Sequence, residues 1–276
     1  MSDDRSPPDR DRGEGWAAAS PESRPRGRGR RPFVAIAWVL LAMVLLGAAG
    51  FVVWASDPLG PDAAALAASS GGNGVAVTQA ADGYEFAPAS VDPTAGIVLY
   101  PGGHVDVRSY APLARELASR GYLVVVPPMT LSLAVFSPYR ADAVLAKHPR
   151  ISTWAVGGHS LGGTMAALWA GRNLGRVKAL VLLASYPAAG TDLSRSGLRV
   201  ISLRGSADAL VTTAKIDAAR PLLPSTTVYV TLPGGNHGQF GSYGPQPGDG
   251  AATISPQRQR IVTAEIVDAF LRGSKP

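Results

Sequence analysis

The stretch "STWAVGGHSLGGTMAALWAG" occupies residues 152–171. An apolar run climbs through Trp154, Ala155 and Val156 and meets Gly157-Gly158-His159-Ser160-Leu161-Gly162-Gly163. It then continues as an Ala-rich segment with helical character. Residues 158–162 fit the pattern G-x-S-x-G with a strand before and a helix after. A serine on such a turn takes a strained backbone so that its hydroxyl stands clear. Glycines two positions before and after keep strand and helix from colliding. The bland alternative is a glycine-rich packing turn, and the rest of the chain has to decide between them.

Outward from this turn, buried strands alternate with helices. "GIVLYPGG" (96–103) is an apolar run that stops at two glycines, and "YLVVVPP" (122–128) is a second, ended by its prolines. "VKALVLLASYP" (177–187), "RVISLRGSAD" (199–208) and "STTVYVTLPGG" (225–235) read as further strands. Helices are expected over 109–121, 137–149, 161–172, 212–223 and 255–273. Ser137 is the expected N-cap of the second, with Pro138 at its first position. "GVAVTQ" (74–79) and "YEFAP" (84–88) read as short strands near a sheet edge. The alternation implies βαβ units and a mostly parallel sheet with helices on both faces. Such sheets bind ligands beyond the carboxyl ends of their strands, so residues of interest should follow strands directly.

A serine hydroxyl is a weak nucleophile without a base. The chain has four histidines. His159 sits inside the turn, His148 at a helix end, and His104 after Gly102-Gly103 at the mouth of the site. His237, in "LPGGNHGQF" (232–240), follows the last strand and precedes the last helix, which makes it the expected base. The carboxylate that orients it is expected at Asp208, just past a strand. Asp192 is the competitor, and Asp217 lies on a helix. An oxyanion needs two preorganised N–H donors. Leu161 supplies one from the helix start, and Gly103 is expected to supply the other, with His104 as the alternative. Met129, Tyr186 and Phe240, with His104, are the expected substrate-binding residues, and Leu131 and Phe136 could add to the walls; for these side chains ordinary core packing is the competing reading.

"LYPGGHVD" (99–106), "GYLVVVPPM" (121–129), "VGGHSLGG" (156–163), "RGSADALV" (204–211) and "GGNHGQFGSYGPQPGDG" (234–250) together resemble an α/β-hydrolase of the compact, lidless dienelactone-hydrolase-like branch. The resemblance covers about residues 74–272. It implies the α/β-hydrolase fold, a triad of Ser160, His237 and Asp208, and no metal or organic cofactor. Enzymes acting on dienelactone use a Cys nucleophile, and this chain has no Cys, so that substrate is not implied. About a dozen residues separate Tyr186 from Leu198, too few for a helical cap domain.

Composition closes other doors. Without Cys there are no disulfides, thiolate metal sites or lipid anchors on sulfur. The net charge of +6 is partly concentrated in "RPRGRGRRP" (24–32), and no basic face interleaved with aromatics suggests nucleic acid. His104 and Asp106 could offer two metal ligands, but nothing completes a set.

The N-terminal region divides the chain. Residues 1–32 are polar and expected to be a disordered, basic cytoplasmic tail. Residues 33–56 carry no charge; a helix of about 36 Å exceeds a bilayer core of about 30 Å. The Arg cluster before it predicts a signal anchor with the catalytic part outside the cytoplasm. Cleavage after Ala55, or export through a twin-arginine signal at "RRPF", are the competing readings. Residues 57–73 are expected to be a small-residue linker, and residues 74–276 the catalytic domain. The whole predicts a membrane-anchored serine hydrolase cleaving small-molecule or lipid esters. Acyl transfer to an alcohol, or a catalytically silent binding module, are its alternatives.

Overall fold

The computed structural model describes Met1 and residues 30–274. The tail expected to be disordered therefore lies, for residues 2–29, outside the described residues. The chain divides into two compact units, residues 1–48 and 49–276. Helix α1 (Arg30–Ala55) begins in the first and ends in the second. Its stretch Phe33–Ala55 is long and apolar enough to cross a membrane.

The second unit is built on one eight-stranded sheet. In chain order its strands are β1 (Val75–Ala80), β2 (Gly83–Pro88), β3 (Ala95–Tyr100), β4 (Tyr122–Val126), β5 (Thr153–His159), β6 (Ala179–Leu183), β7 (Arg199–Gly205) and β8 (Val228–Leu232). Their spatial order is β1-β2-β4-β3-β5-β6-β7-β8. The β1–β2 and β2–β4 pairs are antiparallel and every other pair is parallel. The central strands are buried on both sides because helices cover both faces. In β3, Ile97 and Leu99 join one core cluster while Val98 and Tyr100 join the other. That is the two-residue alternation of a strand read out as two separate cores.

The first core packs against α3 (Ala111–Ala118), through Leu113 and Leu117, and against α7 (Pro256–Leu271), through Val267 and Phe270. The second packs against α4 (Arg140–Lys147) and α5 (Leu161–Arg172), where Ala166, Ala167 and Ala170 allow close approach and Trp169 fills the space beyond. A short helix, α6 (Thr213–Ala219), follows β7. Helix α7 starts where sequence reasoning puts it: the Ser255 side chain accepts from Arg258 N, and Pro256 follows the cap.

Two local expectations give way to tertiary contacts. Helix α4 starts at Arg140 rather than at Pro138. The Ser137 hydroxyl does not cap it. It accepts from Thr130 N at 3.0 Å and donates to the Thr130 hydroxyl at 2.8 Å, which closes the loop after β4. The stretch expected to be a small-residue linker, 57–73, carries a short helix. Asp62 caps a six-residue helix, α2 (Ala63–Ala68), whose Ala65 is fully buried. Leu59 forms a parallel bridge with Val105.

The topology brings four carboxyl strand ends together. β3 leads into Pro101-Gly102-Gly103, β5 into Ser160, β7 into Asp208 and β8 into His237. Apart from the intervening β6 these strands are consecutive in the sheet, so their loops share one rim.

Candidate active site

Ser160 stands between β5 and α5 with φ 51° and ψ −126°, a conformation that side chains other than hydrogen resist. Its backbone is held on both sides. Ser160 N donates to Leu183 O at 2.9 Å, and the buried Ser185 hydroxyl donates to Ser160 O at 2.6 Å. The flanking glycines are needed for space. A Cβ on Gly158 would lie 2.5 Å from Gly162 C, and one on Gly162 would strike the carbonyls of Tyr100 and Pro101. Strand, turn and helix can approach this closely only with glycine at both places.

His237 and Asp208 form a buried pair. Nδ1 of His237 lies 3.1 Å from Oδ2 of Asp208, and both side chains are essentially inaccessible. The carboxylate can only accept, so Nδ1 carries the proton and Nε2 is left with its lone pair. The other carboxylate oxygen, Oδ1, accepts from Leu210 N at 2.9 Å and Val211 N at 2.7 Å, which fixes the orientation of Asp208. The competing carboxylates lie elsewhere. Asp192 is exposed and accepts from its neighbour Ser194 N, and Asp217 pairs with Arg220 at the surface.

The His237 loop is braced by Asp249. Its Oδ2 accepts from Gly238 N and its Oδ1 from Gly250 N, each at 2.8 Å. Asn236 is tied to Gln259 on α7 by N–H donation at 3.0 Å and to Gly250 O by its side chain at 2.8 Å. A hollow of about 400 Å³ is lined by residues of this loop, among them Asn236, Gln239, Gln246 and Asp249, and by Asp62. Ser160, Asp208 and His237 do not line it.

His159 connects the turn to its surroundings. It is buried, with its ring 4.5 Å from that of His237 and 5.9 Å from Phe240. Its Nδ1 lies 2.8 Å from the Tyr110 hydroxyl, and that hydroxyl accepts from Gly102 N at 2.8 Å. The phenol proton then has His159 Nδ1 as its acceptor. Nε2 of His159 has no hydrogen-bond partner. Burial first, and the neighbouring His237 second, hold the His159 pKa well below its usual 6.5, so the ring is neutral. Burial likewise raises the pKa of Tyr110.

The two expected N–H donors face different constraints. Leu161 is the first residue of α5, where backbone N–H groups have no intrahelical acceptor. In the loop after β3, Gly102 N is engaged by Tyr110, and His104 N donates to Ser132 O at 2.8 Å. Gly103 N, like Val105 N, has no protein acceptor among the described residues, so it is available to a ligand. The Gly103 Cα lies close to Leu161: a Cβ there would be 3.0 Å from Leu161 Cδ2.

The remaining expected residues are spread out. Met129 and Phe240 are buried in the two cores. Tyr186 is partly exposed, and its carbonyl accepts from the Thr164 hydroxyl at 2.9 Å. His104 stacks on Trp54. Tyr110, Ser185 and Asp249 complete the frame but carry no motif. Only their chain positions hint at them: Asp249 in a Gly-Asp-Gly turn and Ser185 just after a strand. Among the described residues no cluster of three or more His, Asp or Glu could hold a metal ion.

A family model described as the alpha/beta hydrolase family matches residues 96–261. Among solved structures, the chain is similar to a provisionally assigned dienelactone hydrolase from Klebsiella pneumoniae, with 16% identity and a TM-score of 0.53. That match covers 72% of this chain and 98% of the other. It is also similar to a CIB-like hydrolase, again provisionally assigned, from Thermoplasma acidophilum. Here identity is 14% and the TM-score 0.55, covering 71% of this chain and 99% of the other. At such identities the likeness is one of fold. No curated protein sequence matches the chain.

Proposed function

Because the chain belongs to the alpha/beta hydrolase family, we propose that it is a serine hydrolase that cleaves carboxylic esters or related acyl bonds through Ser160, His237 and Asp208. The observation that carries this reading is the strained Ser160 on its glycine-flanked turn, on the same sheet rim as a buried imidazole–carboxylate pair whose imidazole lies 4.5 Å from the ring of the adjoining His159. A packing turn has no reason to share its rim with two buried, hydrogen-bonded ionisable groups.

The steps follow from the groups present. Ser160 Oγ attacks the acyl carbon while His237 Nε2 takes its proton, and the carbonyl π electrons move onto oxygen. Asp208 holds the His237 tautomer and offsets the positive charge of the imidazolium. The N–H groups of Leu161 and Gly103 receive the oxyanion. Collapse of the tetrahedral species expels the alcohol, which takes the proton from His237. Water then attacks the acyl-enzyme with His237 again as base, and Ser160 leaves with its proton restored. No step needs a cofactor.

Helix α1 adds location to chemistry: an uncharged span preceded by Arg residues is the signature of an anchor with its amino end in the cytoplasm. On that reading the hydrolase works outside the cytoplasm, tethered at the bilayer, where lipid and envelope esters are at hand.

The test is fluorophosphonate labelling of the purified full chain in detergent micelles, followed by peptide mapping and ester-hydrolysis assays. A single adduct on Ser160, with Ser160→Ala reducing hydrolysis by at least about 10³-fold, is expected. An unlabelled but folded wild-type chain refutes the reading. Labelling without hydrolysis, but with acyl transfer to an added alcohol, replaces hydrolysis by transfer.

A further inference from the structure

The loop Pro101–Asp106 carries the proposed Gly103 donor, and residues outside the loop, from Trp54 to Ser132, hold it. Tyr110 takes the Gly102 N–H, and Ser132 O takes the His104 N–H. On the other side, Leu59 N donates to His104 O at 2.9 Å and Asp106 N donates to Leu59 O at 3.0 Å. The fourth hold comes from the last turn of α1. The Trp54 indole and the His104 ring stack with centroids 4.0 Å apart and planes 8° from parallel. His104 Nε2 also lies 2.7 Å from the Trp54 carbonyl, close enough to donate to it beside Asp57 N, which donates to the same oxygen at 3.1 Å.

His104 needs such support. It has φ 58°, left-handed for a side-chain-bearing residue, a state that persists only where its surroundings impose it. Ala55, next to Trp54, is fully buried, and Phe51 meets Phe136 edge-on at 6.2 Å, so this helix end touches the hydrolase unit although Trp54 itself stays half exposed. A tryptophan near the end of a membrane span is common for interfacial reasons alone. Interfacial preference does not call for a parallel stack on a loop histidine, nor for that histidine to bond the same residue's carbonyl.

We propose that Trp54 is a positioning residue: through His104 it holds the Gly103 N–H where the oxyanion forms, which makes the last turn of α1 a working part of the hydrolase. The inference rests on the proposed Ser160 chemistry. It also implies that the active form keeps α1, since cleavage after Ala55 would remove both the ring and the carbonyl that His104 engages.

The experiment uses the full chain in detergent micelles with a p-nitrophenyl ester. An oxyanion donor acts mainly in the transition state, so its misplacement lowers kcat and spares KM. Trp54→Ala is expected to lower kcat about tenfold with KM within about twofold and an unchanged circular dichroism spectrum. Trp54→Phe, which keeps an aromatic face, is expected to recover at least about half of the lost rate. A folded Trp54→Ala variant with wild-type kcat overturns the inference. Should that variant not fold, His104→Gln decides: it can still donate to the Trp54 carbonyl but has no ring to stack, and wild-type kcat in it is equally fatal. A wild-type chain inert to fluorophosphonate fails earlier and removes the hydrolase reading along with this one.

Discussion

Two glycine-rich turns at the same rim are built on opposite plans. The turn at 158–162 is held inside the sheet: by its own two glycines, the strand before it, the helix after it, and Leu183 and Ser185 at and just beyond the end of adjoining β6. The loop at 101–106 has few bonds of its own. Its partners are Trp54, Leu59, Tyr110 and Ser132, drawn from three other parts of the chain. The first turn presents a side chain whose strain must be confined to a single residue. The second presents a backbone amide, and an amide is placed only by placing the whole loop.

Substitutions should separate the two plans. The largest effect belongs to the Ser160 side of the rim, at the carboxylate behind His237. Asp208→Asn keeps the Leu210 and Val211 hydrogen bonds available but favours the wrong His237 tautomer. It is expected to lower kcat by about 10⁴-fold with the fold intact, checked by steady-state kinetics and circular dichroism. The same change at exposed Asp192 should leave kcat unaltered, and a comparable loss there would reassign the carboxylate.

On the remotely built side, Tyr110→Phe leaves Gly102 N–H without its acceptor and His159 Nδ1 without its donor. A buried unpaired group costs about 1–3 kcal/mol. The expected result is a lower midpoint in urea and about a tenfold lower kcat, with KM less affected. Equal losses in Ser160-turn and loop variants would erase the distinction between the two plans.

The smallest effect is at their junction, His159. Its pKa is lowered in the folded state, so below about pH 6.5 the unfolded chain binds the additional proton and the folded one does not. Stability should therefore be full above that pH and decline as pH falls from 6.5 toward the depressed folded value. The slope can reach about 1.4 kcal/mol per pH unit. His159→Gln should flatten this decline between pH 6.5 and 5 in urea titrations, and an unchanged slope would place the proton uptake elsewhere.

The same contrast explains what could be read from the chain. The strand ends, the order of Ser160, Asp208 and His237, and the position of the Gly103 loop follow from apolar runs and turn residues close in sequence. Tyr110 could not be read, because its partners are Gly102 in one loop and His159 at the end of another strand. Ser137 was legible only as a cap; the hydroxyl of Thr130, brought close by the chain's reversal after β4, outcompetes the helix end. The 57–73 segment reads as linker from its small residues, yet small residues also suit a helix packed close to α3, and only the fold distinguishes the two. Trp54 reads as one more apolar residue of a span until His104 is seen against it.

The backbone of Ser160 has one more consequence. Conformations of this kind cost on the order of 1–3 kcal/mol for a residue with a side chain, and glycine adopts them freely. Folding stability taken alone would therefore favour glycine at position 160. On the proposed reading, the protein gives up some stability at position 160 to present a hydroxyl, a trade of robustness for reactivity written into one pair of dihedral angles.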